Sequence, residues 1–257
     1  MNNEQNVSSD KDIPSGQTFL MSLKNISVYQ ILVFLRTYAV LLFIVLLTVI
    51  LTIISDSFLT PRNLLNILNQ NAPLAIIASA LTLVIIGGGF DLSTGAMFGV
   101  ASVCAAWLAV NINPQVAFFI APIAGLVLGI VNGLLITGLR VHSFLATLAS
   151  SLVFRGIAIL ITGGFLIPVR IKEFSWLGRS KVYEVHIAVL VFITFAVIMG
   201  FLLKRTTFGR YVFAVGGNEE AAILSGINIS LIKISTFALT GMAAGIAGVI
   251  TVSRISM

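Results

Sequence analysis

Residues 92–139 read LSTGAMFGVASVCAAWLAVNINPQVAFFIAPIAGLVLGIVNGLLITGL, 48 residues without a single Asp, Glu, Lys or Arg. In a soluble domain about a quarter of residues are charged, so a gap of this length does not arise there. A helix crosses the hydrocarbon of a bilayer with about 20 residues, and this run therefore holds two spans. Asn111-Ile112-Asn113-Pro114 supplies the turn between them.

On either side of this run the pattern repeats. Residues 37–55, 63–90, 185–203 and 234–253 carry no Asp, Glu, Lys or Arg, and 141–169 carries only Arg155. Seven spans follow, near 38–54, 66–87, 92–110, 116–137, 143–162, 185–203 and 232–252. Composition says the same of the whole chain. Of 257 residues 58% are apolar, while 15 Lys+Arg and 9 Asp+Glu make only 9% charged. That excludes a soluble globular protein, a disordered chain and a nucleic-acid-binding domain. The net charge of +6 belongs to membrane-protein loops facing anionic lipid head groups rather than to a nucleic-acid partner. The fold class is all-α, a polytopic transmembrane helical bundle.

Residues 1–36 form a polar tail, with residues 19–36 apolar enough to lie along the membrane surface, and residues 37–257 form the membrane domain. Residues 1–18 hold Glu4, Asp10, Lys11 and Asp12 without an apolar core, unlike a cleavable leader. The tail is expected to stay on the cytoplasmic side. On that reading eight basic residues (Lys11, Lys24, Arg36, Arg140, Lys204, Arg205, Arg210, Lys233) lie inside and six (Arg62, Arg170, Lys172, Arg179, Lys181, Arg254) outside. The bias is modest, and residues 163–184 make an awkward outside loop.

Glycines recur at four-residue spacing: Gly95 and Gly99; Gly125, Gly129 and Gly133; Gly241 and Gly245. This spacing lines one helix face and lets backbones approach closely, either within the subunit or between two subunits. The lone Cys104 reads as a small packed side chain, and His142 and His186 as polar residues at span edges. No phosphate-binding Gly-rich loop, zinc motif or nucleophile elbow is present, so the chain carries no enzyme signature. No cofactor or metal is expected.

Three polar features remain. Asp91, between Gly87-Gly88-Gly89 and Leu92-Ser93-Thr94-Gly95, is the only acid between Asp56 and Glu173. With Ser93 it can cap a helix start in a boundary or re-entrant turn, border a translocation path, or do both. Arg155 lies near the middle of its apolar run and needs a helix-end or carbonyl partner, or a place on the path. The third is residues 204–230. Asn218 can cap a helix whose first turn holds Glu219 and Glu220, where the dipole favours acids, and Gly226 suits its C′ position. A helix of about two turns is unstable alone in water, so it is either a simple surface helix or a docking element. Gly216-Gly217 lets the chain turn before it.

Glu220-Ala221-Ala222-x-x-x-Gly226 resembles the Glu-Ala-Ala loop of ABC importer permeases. Gly87-Gly-Gly-Phe-Asp-Leu-Ser-Thr-Gly95 resembles the Gly-Ile-Asp-Leu-Ser-Val-Gly signature of the ribose-type, monosaccharide permeases within that family. Phe144-Leu-Ala-Thr-Leu148, Arg155-Gly156, Thr162-Gly-Gly164, Phe208-Gly-Arg-Tyr211 and Leu224-Ser-Gly-Ile-Asn228 follow in the same order. The resemblance implies a type II-like permease subunit that carries a monosaccharide across the bacterial inner membrane. It implies as partners a separate ABC ATPase, a second permease subunit and a periplasmic sugar-binding protein, beside membrane lipid. It makes 204–230 a cytoplasmic coupling loop. Gly209, Arg210, Gly217, Asn218, Glu219, Glu220, Ala221, Ala222 and Gly226 would form the coupling surface, with Asp91, Ser93 and Arg155 on the translocation path. Members of the family run on past the position of Arg254, so the resemblance also implies a truncated product or a shortened gene. The rival classes are an ion-gradient transporter or channel using Asp91, and a membrane interaction protein that moves nothing.

Overall fold

The computed structural model describes residues 28–256, and these fall into two units that divide after Thr60. The first holds one long helix, α1 (Val28–Ile54). It is apolar all round, and from Leu32 onward its side chains are mostly exposed. Such a helix is stable only where lipid or another apolar surface surrounds it. The surface segment expected at 19–36 lies outside the described residues up to 27, and from Val28 it is continuous with the first span.

The second unit runs through α2 (Pro61–Ile86), α3 (Thr94–Asn111), α4 (Pro114–Leu139) and α5 (Ser143–Thr162). A one-turn α6 (Trp176–Arg179) and a two-stranded hairpin, β1 (Lys181–Val182) with β2 (Val185–His186), then lead into α7 (Ile187–Arg205). Two short helices, α8 (Thr207–Gly217) and α9 (Glu219–Leu224), precede the last, α10 (Ile229–Ile255). Among the described residues seven helices are long and apolar enough to cross a membrane. They are the seven read from the charge gaps, with ends that shift by a few residues. Charge marks where hydrocarbon ends, whereas the backbone stays helical out to its caps. Asn228 caps α10 and Asn113 caps α4, each through its side-chain oxygen.

The α10 helix is the centre of this unit and packs against α2, α3 and α4. Its approach to α4 is backbone on backbone. A side chain at Gly125 would strike the Gly241 carbonyl, one at Gly129 the Phe237 carbonyl, and one at Gly245 the Ala121–Pro122 backbone. Water supplies no drive for helices to associate inside lipid, so close van der Waals fit of this kind holds them together. Gly95 and Gly99 differ: a Cβ there meets nothing within 4 Å. Among the described residues these two glycines have no packing partner, because they lie on the face of α3 opposite the one that buries Ala96, Met97 and Val100.

Residues 163–186 are fastened at several points to the rest of the unit. Phe174 is fully buried and stacks on Phe118 at 5.1 Å. The Gly178 N–H donates to Ser253 Oγ at 2.9 Å, and the Ser253 hydroxyl donates to the Phe174 carbonyl. Arg254 closes the same corner. Pro73 has no N–H, so the Asn69 carbonyl four residues earlier lacks its helical donor. Arg254 Nη1 supplies one at 3.1 Å.

Candidate functional site

The segment after α7 turns back on itself at Thr206, whose hydroxyl accepts from the Gly209 N–H at 3.2 Å and donates to the Leu202 carbonyl. Gly209 is required here, since a Cβ would collide with the carbonyls of Leu202 and Leu203. α8 then lays Val212 and Val215 into a buried cluster with Ala222 and Ile232. Asn218 serves two helices: its N–H closes α8 on the Ala214 carbonyl at 3.1 Å, and its Oδ1 accepts from Ala221 N at 2.9 Å to open α9. Glu219 and Glu220 occupy the first turn of α9. At the other end Gly226 takes φ of 77°. Its N–H reaches the Ile223 carbonyl at 2.9 Å and the Ile227 N–H reaches Ala222 at 3.1 Å, the paired bonds of a Schellman stop.

A six-residue helix with both ends capped in this way still needs a tertiary anchor. Ala222, 3% exposed, is that anchor. A second tie is the ion pair from Lys233 Nζ to Glu219 at 2.8 Å. The expected contact surface therefore divides by direction. Arg210, Gly217, Asn218, Glu219, Glu220, Ala221 and Gly226 are exposed. Gly209 and Ala222 are not; they face inward and support the loop, because the small side is the one that fits against α7 and the buried cluster. The sequence reading missed the apolar part of this surface: Ile223 is 59% and Leu224 89% exposed. It also missed α8 as a helix of its own, for which the spacing of Phe208, Val212 and Val215 was the available signal.

The second polar feature lies at the same end of the unit. Gly88 adopts φ of 78° to turn the chain out of α2. Two hydroxyls of α5 hold the turn: Ser143 Oγ accepts from the Phe90 N–H at 3.0 Å, and Thr147 Oγ1 from the Leu92 N–H at 3.1 Å. Asp91 Oδ1 accepts from both the N–H and the hydroxyl of Ser93, and Asn132 Nδ2 donates to that hydroxyl at 2.6 Å. Asp91 and Asn132 are buried, and Asp91 Oδ2 and Asn132 Oδ1 have no hydrogen-bond partner among the described residues. Burial pushes the Asp91 carboxyl above its ordinary range, against the two Ser93 hydrogen bonds, which pull it down. Asp91 and Ser93 thus brace a turn in this conformation and are buried within it.

Arg155 is brought to neither feature. It is exposed on α5, with no hydrogen bond or ion pair to the described residues. The carbonyl or helix-end partner expected for it is not found there, because it projects from the face of α5 turned away from the unit. Between the turn and the loop lies a cleft of about 970 Å³, lined among others by Gly87, Arg140, Ser143, Glu219, Asn228 and Lys233. His142 stands at its rim as the cap of α5.

The family described as branched-chain amino acid transport system / permease component matches residues 63–257. The chain belongs to it. Among its relatives the permease is similar to the ribose import permease protein of Escherichia coli (strain K12), 36% identical over 221 residues, 84% of this chain and 69% of the relative. The ribose import permease protein of Bacillus subtilis (strain 168) is 38% identical over 213 residues, 82% of this chain and 66% of the relative. The L-arabinose ABC transporter permease protein of Azospirillum brasilense is 36% identical over 224 residues, 86% of this chain and 66% of the relative. The permease thus spans about two thirds of the length of these relatives. No solved structure matches it. Its place among transport proteins is therefore that of a polytopic, ribose-type ABC permease.

Proposed function

We propose that the permease is the membrane-spanning subunit of an ATP-driven importer that carries a ribose-like monosaccharide across the bacterial inner membrane. A periplasmic binding protein delivers the sugar, a second permease subunit completes the path, and a separate ABC ATPase binds on the cytoplasmic side. The N-terminus and the 204–230 loop share that side. The observation that carries this reading is the exposed, capped α9. An acidic first turn and the outward Ile223 and Leu224 give it a polar and an apolar contact. On a short helix outside the spans, neighbouring exposed apolar side chains beside charge suit a protein contact. The pull of the ATPase on this helix is useful only if ATP-bound and ATP-free states favour different arrangements of the spans.

The test is co-expression of the permease with its ATPase and binding protein, and a Glu220→Lys variant. The variant is expected in the membrane at parental level, with ATPase co-purification and sugar uptake reduced at least tenfold. Undiminished uptake by the variant counts against the assignment. Uptake that ignores ATP depletion and collapses with the ion gradient would instead mark a secondary transporter.

A further inference from the structure

Gly216, at the end of α8, lies on the backbone where α2 gives way to the glycine turn. A Cβ at Gly216 would overlap the Ile86 carbonyl, and one at Gly88 would sit 3.6 Å from the Gly216 Cα. Beside this contact, a Cβ at Gly87 would lie 3.7 Å from Val212 Cγ1. Val212 is fully buried, with Val215, Ala222 and Ile86 in one cluster. From α9 to the turn the path is therefore continuous: Ala222, Val212 and Val215, then Gly216 against Ile86 and Gly88. Flexible side chains absorb small displacements by changing rotamer. Backbone pressed on backbone has no such slack and passes the displacement on.

What receives it is a hydrogen-bonded turn with buried polar atoms left over. The turn is bonded to α5 through Ser143 and Thr147 and to α4 through Ser93 and Asn132. In this state Asp91 Oδ2 and Asn132 Oδ1 go without partners although buried. Leaving a buried polar atom unpaired is costly, so a shift that pairs either one offsets the loss of an existing bond. Coupling between distant sites needs an element of this kind, with discrete alternatives that both sites bias.

We infer that Gly216 is the positioning residue that delivers movement of the coupling loop to the turn 87–93, where the Asp91–Ser93–Asn132 hydrogen bonds rearrange in response. The inference rests on the function proposed above and goes beyond it: the loop drives the turn 87–93 as well as the spans it packs on. Gly216→Ala wedges the loop off the turn without touching the exposed face of α9. Alongside it, Gly87→Cys with Val212→Cys, in a Cys104→Ser background, ties loop and turn together when oxidised.

The permease is reconstituted with its ATPase and binding protein, and ATPase retention, ATP hydrolysis and sugar transported per ATP are measured. Gly216→Ala is expected to retain the ATPase and its hydrolysis while sugar per ATP falls at least tenfold. The oxidised pair is expected to keep sugar per ATP within twofold of the reduced form, because the tied segments move as one body. Parental sugar per ATP in Gly216→Ala overturns the inference, as does a tenfold loss on oxidation that reduction restores. Should Gly216→Ala fail to reach the membrane, the cross-linked pair decides alone. If the parental permease itself retains no ATPase, the functional reading falls, and this inference falls with it.

Discussion

Where α4 meets α10 the two backbones touch through Gly125, Gly129, Gly241 and Gly245, with no room for one added carbon. The loop from Thr206 to Gly226 is built the opposite way. Its helices have 11 and 6 residues, each opened by a side-chain cap and the second closed by backbone bonds, and most of its polar groups face outward. The first region cannot yield without coming apart. The second is held by small separate contributions, each removable: Ala222 in an apolar cluster that includes Ile232 of α10, Gly216 against the end of α2, and the Glu219–Lys233 pair. A membrane protein that must be both a stable body and a lever can separate the tasks in this way. Close packing goes where lipid surrounds the helices, and capped, exposed helices go where a partner docks.

The comparison is broken most directly by Gly129→Leu. Its side chain would run into the Phe237 carbonyl and Ala238, and the backbones cannot step aside. A loss of at least about 3 kcal/mol is expected, read as failure to accumulate as monodisperse protein in detergent. Gly99→Leu, with nothing within 4 Å, is the control, and its melting is expected to stay within about 0.5 kcal/mol of parental. Next comes Ser253→Ala at the other end of α10. It removes the bonds to Gly178 N and the Phe174 carbonyl and leaves both groups buried. About 1–3 kcal/mol should be lost, with faster proteolysis within residues 163–186.

In the loop the effects are smaller and local. Asn218→Ala opens the start of α9 for about 1 kcal/mol. Hydrogen exchange of residues 219–226 is expected to quicken while the global melting temperature stays put. A global loss would mean that the loop is part of the packed body. Smallest is Glu219→Gln, which weakens an exposed pair with Lys233 worth about 0–1 kcal/mol. Its melting curve should overlay the parental one, and a measurable drop would show that the ion pair anchors more than its own helix.

How much of this was legible depended on whether the signal was local. The spans were, because hydrocarbon excludes charge over some 20 consecutive residues. So were the caps of α9, since Asn218 accepts from an N–H three residues on and Gly226 donates to a carbonyl three residues back. The partner of Glu219 lies 14 residues on, at Lys233, and that of Ser93 lies 39 residues on, at Asn132. Nothing local marks such pairs. Nor does the local text separate Gly129, locked against α10, from Gly99, which faces no neighbour. The same spacing served both, and only the tertiary arrangement decided between them. Ala222 was misplaced for a similar reason: a short helix has an inside only once its floor is known.

The clasp at Pro73 has a mechanical side. One rung of α2 is supplied by a guanidinium 185 positions away in sequence, and the helix is softest where its own ladder is interrupted. The far end of α2 leads directly into the turn beneath the loop. A push delivered there meets the least backbone resistance at Pro73, where the Arg254 guanidinium holds the open carbonyl.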